Sequence, residues 1–197
     1  EEVSAFRDSA PGKIMHETRK GEMPAMGEVP FARYYGGVDT TPLFVALAGA
    51  YAERTRDLVL IDDLWPALTA AIRWIEQFGD SDGDGLIDYK RGKDSGLTNQ
   101  GWKDSEDSVF HADGRFPDGP IALVEVQGYC YAAAIAGAEL LARFADDPAG
   151  AAFWRDWAAR LKARFDEQFW VSDAHGRYPA LALDRQKNAV TGVASNM

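Results

Sequence analysis

Apolar positions recur at three- and four-residue steps in four segments, and each segment predicts an amphipathic helix. The first helix is expected over about 42–56, because Thr41-Pro42 supplies an N-cap followed by a proline at the first helical position. The second is expected over about 60–78, where Pro66 predicts a kink or a late start and Gly79 ends the helix.

The third predicted helix, 121–144, has an unusual composition. Alanine or glycine occupies six of the seven positions in 132–138, so the helix is small on nearly every side. We therefore expect neighbouring helices to approach it closely on more than one side. A fourth helix is predicted from Pro148 to Trp170, and a strand-like piece follows over 176–183.

Two segments lack a regular period. Glycine and proline punctuate residues 1–40 and predict an extended loop, and residues 80–120 form a long loop rich in Gly and Asp. Loops of that length in a compact domain usually carry function or are disordered. No tandem repeat is detectable by identity, but the order of helices and loops is typical of stacked helical hairpins, an all-α architecture.

The overall composition narrows the function classes. The chain has 197 residues, 46% of them hydrophobic, and a formal net charge of −10. That charge opposes binding to nucleic acid or to an anionic membrane surface. Cys130 is the only cysteine, no apolar run reaches the length of a membrane span, and no secretory signal opens the chain. A cytoplasmic location is the resulting expectation.

The densest polar cluster is 99–108, Asn-Gln-Gly-Trp-Lys-Asp-Ser-Glu-Asp-Ser, which contains Trp102, Lys103 and Asp104. A carboxylate beside a Trp in a partly apolar loop is a candidate general acid, because desolvation raises its pKa. Asp104 is therefore our first catalytic candidate. The alternative is that the Asp and Ser residues of this cluster cap a short helical turn.

Two further clusters carry polar and aromatic side chains. In the third helix Glu125 and Tyr129 lie four residues apart on one face, and Gln127 is turned away unless the start of the helix is irregular. This strip is either a binding surface or an ordinary solvated face. In the N-terminal loop, carboxylates, an arginine and an aromatic residue are of the types that bind sugars: Glu17, Arg19, Tyr35 and Asp39.

Residues 80–88 read Asp-Ser-Asp-Gly-Asp-Gly-Leu-Ile-Asp, with oxygen ligands at alternate positions and glycine at the sixth, as in a calcium loop. The candidate ligands are Asp80, Asp82, Asp84, Leu86 and Asp88. The twelfth position is Arg91, where an EF-hand supplies a bidentate Glu. The segment is therefore either a calcium site completed from elsewhere in the chain, or an Asp/Gly-rich turn that holds its own backbone.

Other cofactor and nucleophile patterns are missing. The His and Cys residues do not have zinc-ligand spacing, and the chain contains no nucleophile elbow, Walker loop or dinucleotide fingerprint. We expect no cofactor for the chemistry itself.

Five ordered motifs carry a family resemblance: PGKIMHE (11–17), YYGGVDTTPLF (34–44), DGDGL (82–86), NQGWKDS (99–105) and EVQGY (125–129). The chain resembles the bacterial glycogen-debranching, amylo-α-1,6-glucosidase-like proteins, over nearly its whole length. The resemblance implies an (α/α)6 toroid related to glucoamylase domains. Four helices over 41–170, at about 32 residues each, make this chain about the N-terminal half of such a toroid.

The resemblance also implies hydrolysis with inversion. Two carboxyl groups are then needed, an acid on the glycosidic oxygen and a base roughly 6.5–9.5 Å away that activates water. Asp104 takes the position of the acid, and the base is a Glu in the second half of the toroid, beyond residue 197. We therefore expect residues 1–197 alone to be inactive, with the rest of the polypeptide as their partner.

The same resemblance assigns the sugar pocket. Its expected residues are Tyr35, Asp39, Trp102, Lys103, Glu125, Gln127 and Tyr129, with Glu17 and Arg19 nearby. The expected substrate is an α-glucan branch or a small α-glucoside. Two alternatives stay open: a calcium-stabilised carbohydrate-binding module without hydrolytic activity, and a sugar epimerase, for which the His residues lack a paired helical setting.

Overall fold

The computed structural model describes residues 2–174 and 176–192. Within these residues the helices are α1 (Glu22–Met26), α2 (Thr40–Thr55), α3 (Leu58–Phe78), α4 (Val124–Arg143) and α5 (Pro148–Gln168). The strands are β1 (Ala122–Leu123), β2 (Trp170–Asp173), β3 (Gly176–Pro179), β4 (Ala182–Leu183) and β5 (Ala189–Val190). Strands β1, β4 and β5 form one antiparallel sheet in that order, and β2 pairs with β3 in another.

Capping carboxylates explain where two of the four long helices begin. The Asp57 carboxylate accepts hydrogen bonds from the first amides of α3, and the Asp147 carboxylate accepts one from Gly150 in α5. Helix α3 continues through Pro66. Thr41 does not cap α2 as predicted: it lies inside the helix, and its hydroxyl accepts a hydrogen bond of 3.0 Å from the Ile14 amide.

Helix α4 lies at the centre of the helical packing, against α2, α3 and α5. A Cβ on Gly49 of α2 would lie 2.5 Å from Ala136 Cβ, and one on Gly137 would lie 2.8 Å from Ile72 Cδ1 of α3. The expectation of close neighbours on several sides of the small-residue helix is therefore confirmed. Cys130 is buried in the same core.

Two further sequence predictions differ from the structure. The N-terminal segment contains α1 and a 3-10 turn at Pro30–Ala32, so it is not extended throughout. The predicted helix at 121 begins at Val124, because Ala122 and Leu123 pair with β4 instead. This pairing joins positions that are far apart in the sequence, which a helical period does not reveal.

Helices α2 and α3 pack as one hairpin, and α4 and α5 pack as the next. This mostly helical arrangement with small sheets fits a glycoside hydrolase domain, while the closed toroid stays a prediction. No helix among the described residues is both long and apolar enough to cross a membrane.

Candidate active site

The N-terminal ends of α2 and α4 bring three predicted pocket residues together. Asp39 directly precedes α2, and Glu125 and Tyr129 lie in the first turns of α4. Burial raises the pKa of Tyr129, and the negative charges of Glu125 and Asp39 raise it further. The three side chains are therefore within electrostatic reach of one another.

Asp39 is a buried carboxylate in this group. Burial raises its pKa, while its own amide, His16 and the Thr40 hydroxyl act in the opposite direction. The Thr40 hydroxyl donates to Asp39 Oδ1 over 3.4 Å. A buried carboxylate with few donors around it has capacity to accept hydrogen bonds from hydroxyl groups.

Lys103 and Glu125 form an ion pair that joins the long loop to α4. Their Nζ and Oε1 atoms lie 3.1 Å apart, and the two side chains are only 12% and 14% exposed. The other carboxylate oxygen, Glu125 Oε2, is buried and accepts no hydrogen bond from the described residues. It is therefore available to a donor such as a sugar hydroxyl.

Asp104 follows this ion-paired lysine and is exposed. Within the described residues its carboxylate makes no hydrogen bond or ion pair. Trp102 is also largely exposed, at 53%, with Lys103 Nζ lying 5.3 Å from the centre of its ring. The desolvation expected from the sequence is therefore not supplied by the described residues, while the carboxylate is accessible to a ligand.

The N-terminal candidates lie on the segment that pairs with Tyr34. Glu17 and Tyr34 form a β-bridge, and Arg19 Nε lies 3.0 Å from Glu17 Oε1. The Arg19 guanidinium also lies 4.2 Å from the centre of the Phe31 ring. Tyr35 is buried. Glu17 and Arg19 are thus brought together as a pair.

Gln127 is placed differently from the expectation based on the resemblance. Its side chain is buried; Oε1 accepts from the Ile87 amide over 2.9 Å, and Nε2 donates to the Ile87 and Leu123 carbonyls over 2.7 and 3.0 Å. The amide is therefore fully engaged with backbone groups. Helical spacing predicts that Gln127 points away from Glu125 and Tyr129, and the structure agrees with that prediction.

The sequence analysis missed two residues that organise the site. The Asp8 carboxylate accepts hydrogen bonds from Tyr34, Gln100 and the Gly92 amide, over 2.7, 3.0 and 2.6 Å. It thereby ties the N-terminal segment to the loop before Asp104. Asn99 binds the backbone that surrounds Asp104. The contacts of Asp8 join positions 26 to 92 residues apart, for which the sequence carries no periodic signal.

Residues 80–88 form an acidic loop, and several of its carboxylate oxygens accept hydrogen bonds from backbone amides of the same loop. The Asp80 carboxylate accepts hydrogen bonds from the amides of Gly83, Asp84 and Gly85, and Asp88 accepts from the Ser81 amide. These contacts support the interpretation as a turn that holds its own backbone.

A lysine from the C-terminal segment neutralises the same loop. Lys187 Nζ lies 2.8 Å from Asp82 Oδ2 and 2.7 Å from Asp84 Oδ2. Carboxylate oxygens of Asp80, Asp82 and Asp88 lie within 4.8 Å of one another, as a metal site requires. Asp80 is engaged by three amides and Asp82 by an ammonium, which favours the turn, and the calcium site stays a prediction. The Leu86 amide donates to Asp84 Oδ1.

The model of the mannosylglycerate hydrolase MGH1-like glycoside hydrolase domain matches residues 10–195. A search of curated proteins gives no match. The family match over 10–195 covers both helical hairpins and the loop that carries Asp104. It supports a glycoside hydrolase of the glucoamylase-like type. The chain therefore belongs to the mannosylglycerate hydrolase MGH1-like family of glycoside hydrolases.

Proposed function

We propose that the protein is an inverting α-glycosidase in which Asp104 is the general acid. The observation that carries this proposal is the accessible Asp104 carboxylate on a loop that an ion pair joins to the start of α4, where Glu125, Tyr129 and Asp39 cluster. Membership of a glycoside hydrolase family supports it. By the resemblance, the base is a Glu of the second half of the toroid.

In this mechanism Asp104 donates its proton to the glycosidic oxygen as the bond to the anomeric carbon breaks. The base removes a proton from a water molecule, whose oxygen attacks the anomeric carbon from the opposite face. The products are a free sugar of inverted configuration and the protonated leaving group. Asp39 and Glu125 Oε2 would accept hydrogen bonds from sugar hydroxyls, and Trp102 offers an exposed face for stacking.

Two substrate classes fit the proposal. The resemblance to debranching proteins favours α-1,6 branches of a glycogen-like glucan, whereas the family is named for a mannosylglycerate hydrolase, which suggests a small glycoside with an acidic leaving group. Rates on a branched glucan and on mannosylglycerate, measured with the full-length protein, separate these classes.

The test of Asp104 is Asp104→Asn in the full-length protein. We expect the rate on unactivated glycosides to fall by about 10²–10⁴-fold, the usual contribution of general acid catalysis. A glycosyl fluoride needs little protonation of its leaving group, so its hydrolysis should fall much less. Asp107→Asn, a change of the same kind in the same exposed segment, should leave both rates near those of the wild type.

Equal losses on both substrates would show that Asp104 is structural. Glycan binding by the full-length wild-type protein without turnover of any α-glycoside would instead favour the carbohydrate-binding module.

A further inference from the structure

One buried side chain, that of Asn99, donates hydrogen bonds to the backbone that follows Asp104. Asn99 is 2% exposed, and its Nδ2 donates to the Ser105 carbonyl over 2.7 Å and to the Glu106 carbonyl over 3.3 Å. The same nitrogen lies 3.2 Å from Ser108 Oγ. Ser105 and Glu106 directly follow Asp104 in the chain.

Tyr89 fixes the other end of the Asn99 amide. Its hydroxyl donates to Asn99 Oδ1 over 3.0 Å. Tyr89 is itself buried, and its amide and carbonyl both pair with Ile121, just before β1. Burial raises the pKa of Tyr89, so the hydroxyl stays protonated and keeps its donor role. The amide orientation of Asn99 is thereby determined.

The carbonyl that precedes Asp104 is fixed as well. Ser108 Oγ donates to the Lys103 carbonyl over 2.5 Å, and the Ser108 amide donates to the Ser105 carbonyl over 3.0 Å. The Lys103 side chain is paired with Glu125. Backbone groups on both sides of Asp104 are therefore bonded, while its carboxylate faces solvent.

We propose that Asn99 is the positioning residue of the general acid, an inference that rests on the proposed role of Asp104. Proton transfer to a glycosidic oxygen requires the acid at hydrogen-bond distance, and a displacement of about 1 Å costs on the order of 10²-fold in rate. Asn99 acts through the loop backbone and does not touch the substrate.

An amide suits this position because one end must donate and the other accept. A carboxylate at residue 99 would place negative charge against the Ser105 and Glu106 carbonyls. Leucine has nearly the same shape as asparagine but makes neither contact, so Asn99→Leu removes the hydrogen bonds with little change in volume.

The test compares Asn99→Leu with Asp104→Asn and with Gln100→Met in the full-length protein. Gln100 is an adjacent buried amide that binds Asp8 instead of the loop around Asp104, and it is the matched control. For each variant kcat and KM are measured on an unactivated glycoside and on a glycosyl fluoride, and thermal unfolding reports the change in stability.

We expect Asn99→Leu to lower kcat on the unactivated substrate by about 10–100-fold, with KM within threefold and a much smaller loss on the fluoride. Gln100→Met should lower the melting temperature without this split between substrates. Tyr89→Phe, which removes only the hydroxyl, should show the same split to a lesser degree, and it serves if Asn99→Leu does not fold.

The outcomes separate the two proposals. If Asp104→Asn shows the split between substrates but Asn99→Leu and Tyr89→Phe reduce both rates equally or not at all, the positioning role is wrong and the acid stands. If Asp104→Asn shows no split, the proposed acid itself is wrong.

Discussion

Replacing Gln127 with methionine tests whether this residue stabilises the fold or binds the sugar. In the structure its amide makes three hydrogen bonds, two of them to the amide and carbonyl of Ile87. Methionine has a similar length and volume, so the core stays filled. The change therefore isolates the loss of the hydrogen bonds.

The expected cost follows from the burial of these groups. Each intramolecular hydrogen bond contributes about 1 kcal/mol, and each buried polar group left without a partner costs about 1–3 kcal/mol. Ile87 is buried in the core, so its amide and carbonyl gain no water when the Gln127 side chain is removed. We expect Gln127→Met to lower the free energy of unfolding by roughly 3–5 kcal/mol.

Urea denaturation measures this change as a lower midpoint with an unchanged slope. Gln77→Met is the matched control, because it makes the same replacement at an exposed position of α3 and should change stability by less than about 0.5 kcal/mol. A Gln127→Met protein of near wild-type stability with a raised KM would refute the structural role and restore the sugar contact that the resemblance implied.

Two further predictions concern the acidic loop. Lys187 supplies positive charge to Asp82 and Asp84, so we expect EDTA to leave thermal unfolding unchanged. We expect Lys187→Met to lower the free energy of unfolding by about 1–2 kcal/mol. A melting curve that depends on the chelator would show a calcium site. Burial raises the pKa of Asp88 to about 6, so the folded state binds the proton more tightly than the unfolded state and stability falls as pH rises from about 4 to 6. Asp88→Asn should flatten this dependence in pH-resolved urea titrations and add up to about 3 kcal/mol at pH 7, and an unchanged pH dependence would contradict the shift.

The helices were largely predictable because their signals are local. The periodic apolar positions predict the four long helices with their ends correct to within a few residues. The small side chains of 132–138 predict a helix with close neighbours, which the structure has. Short elements were not predictable in the same way. Helix α1 begins after Gly21 and contains Pro24, and β1 exists only because β4 lies beside it.

The candidate site shows the same division. The strip of Glu125 and Tyr129 followed from helical spacing alone, and the same spacing turned Gln127 away. The contacts of Lys103 with Glu125 and of Lys187 with the acidic loop join distant positions, so no local pattern indicates them. The role proposed for Asp104 derives from the resemblance, and the structure adds the loop that presents it.

The bonds of Asp8 also have a consequence for the order of events during synthesis. Its carboxylate binds Gly92 and Gln100, which lie 84 and 92 residues later in the chain. At about 5–20 residues per second, the ribosome needs roughly 5–20 s to produce these partners after Asp8. The hairpin of α2 and α3 is complete in sequence by then. The hydrogen bonds of Asp8 to Gly92 and Gln100 therefore form only after the hairpin has been synthesised, and codons that slow translation before residue 100 prolong the time for which Asp8 lacks these two partners.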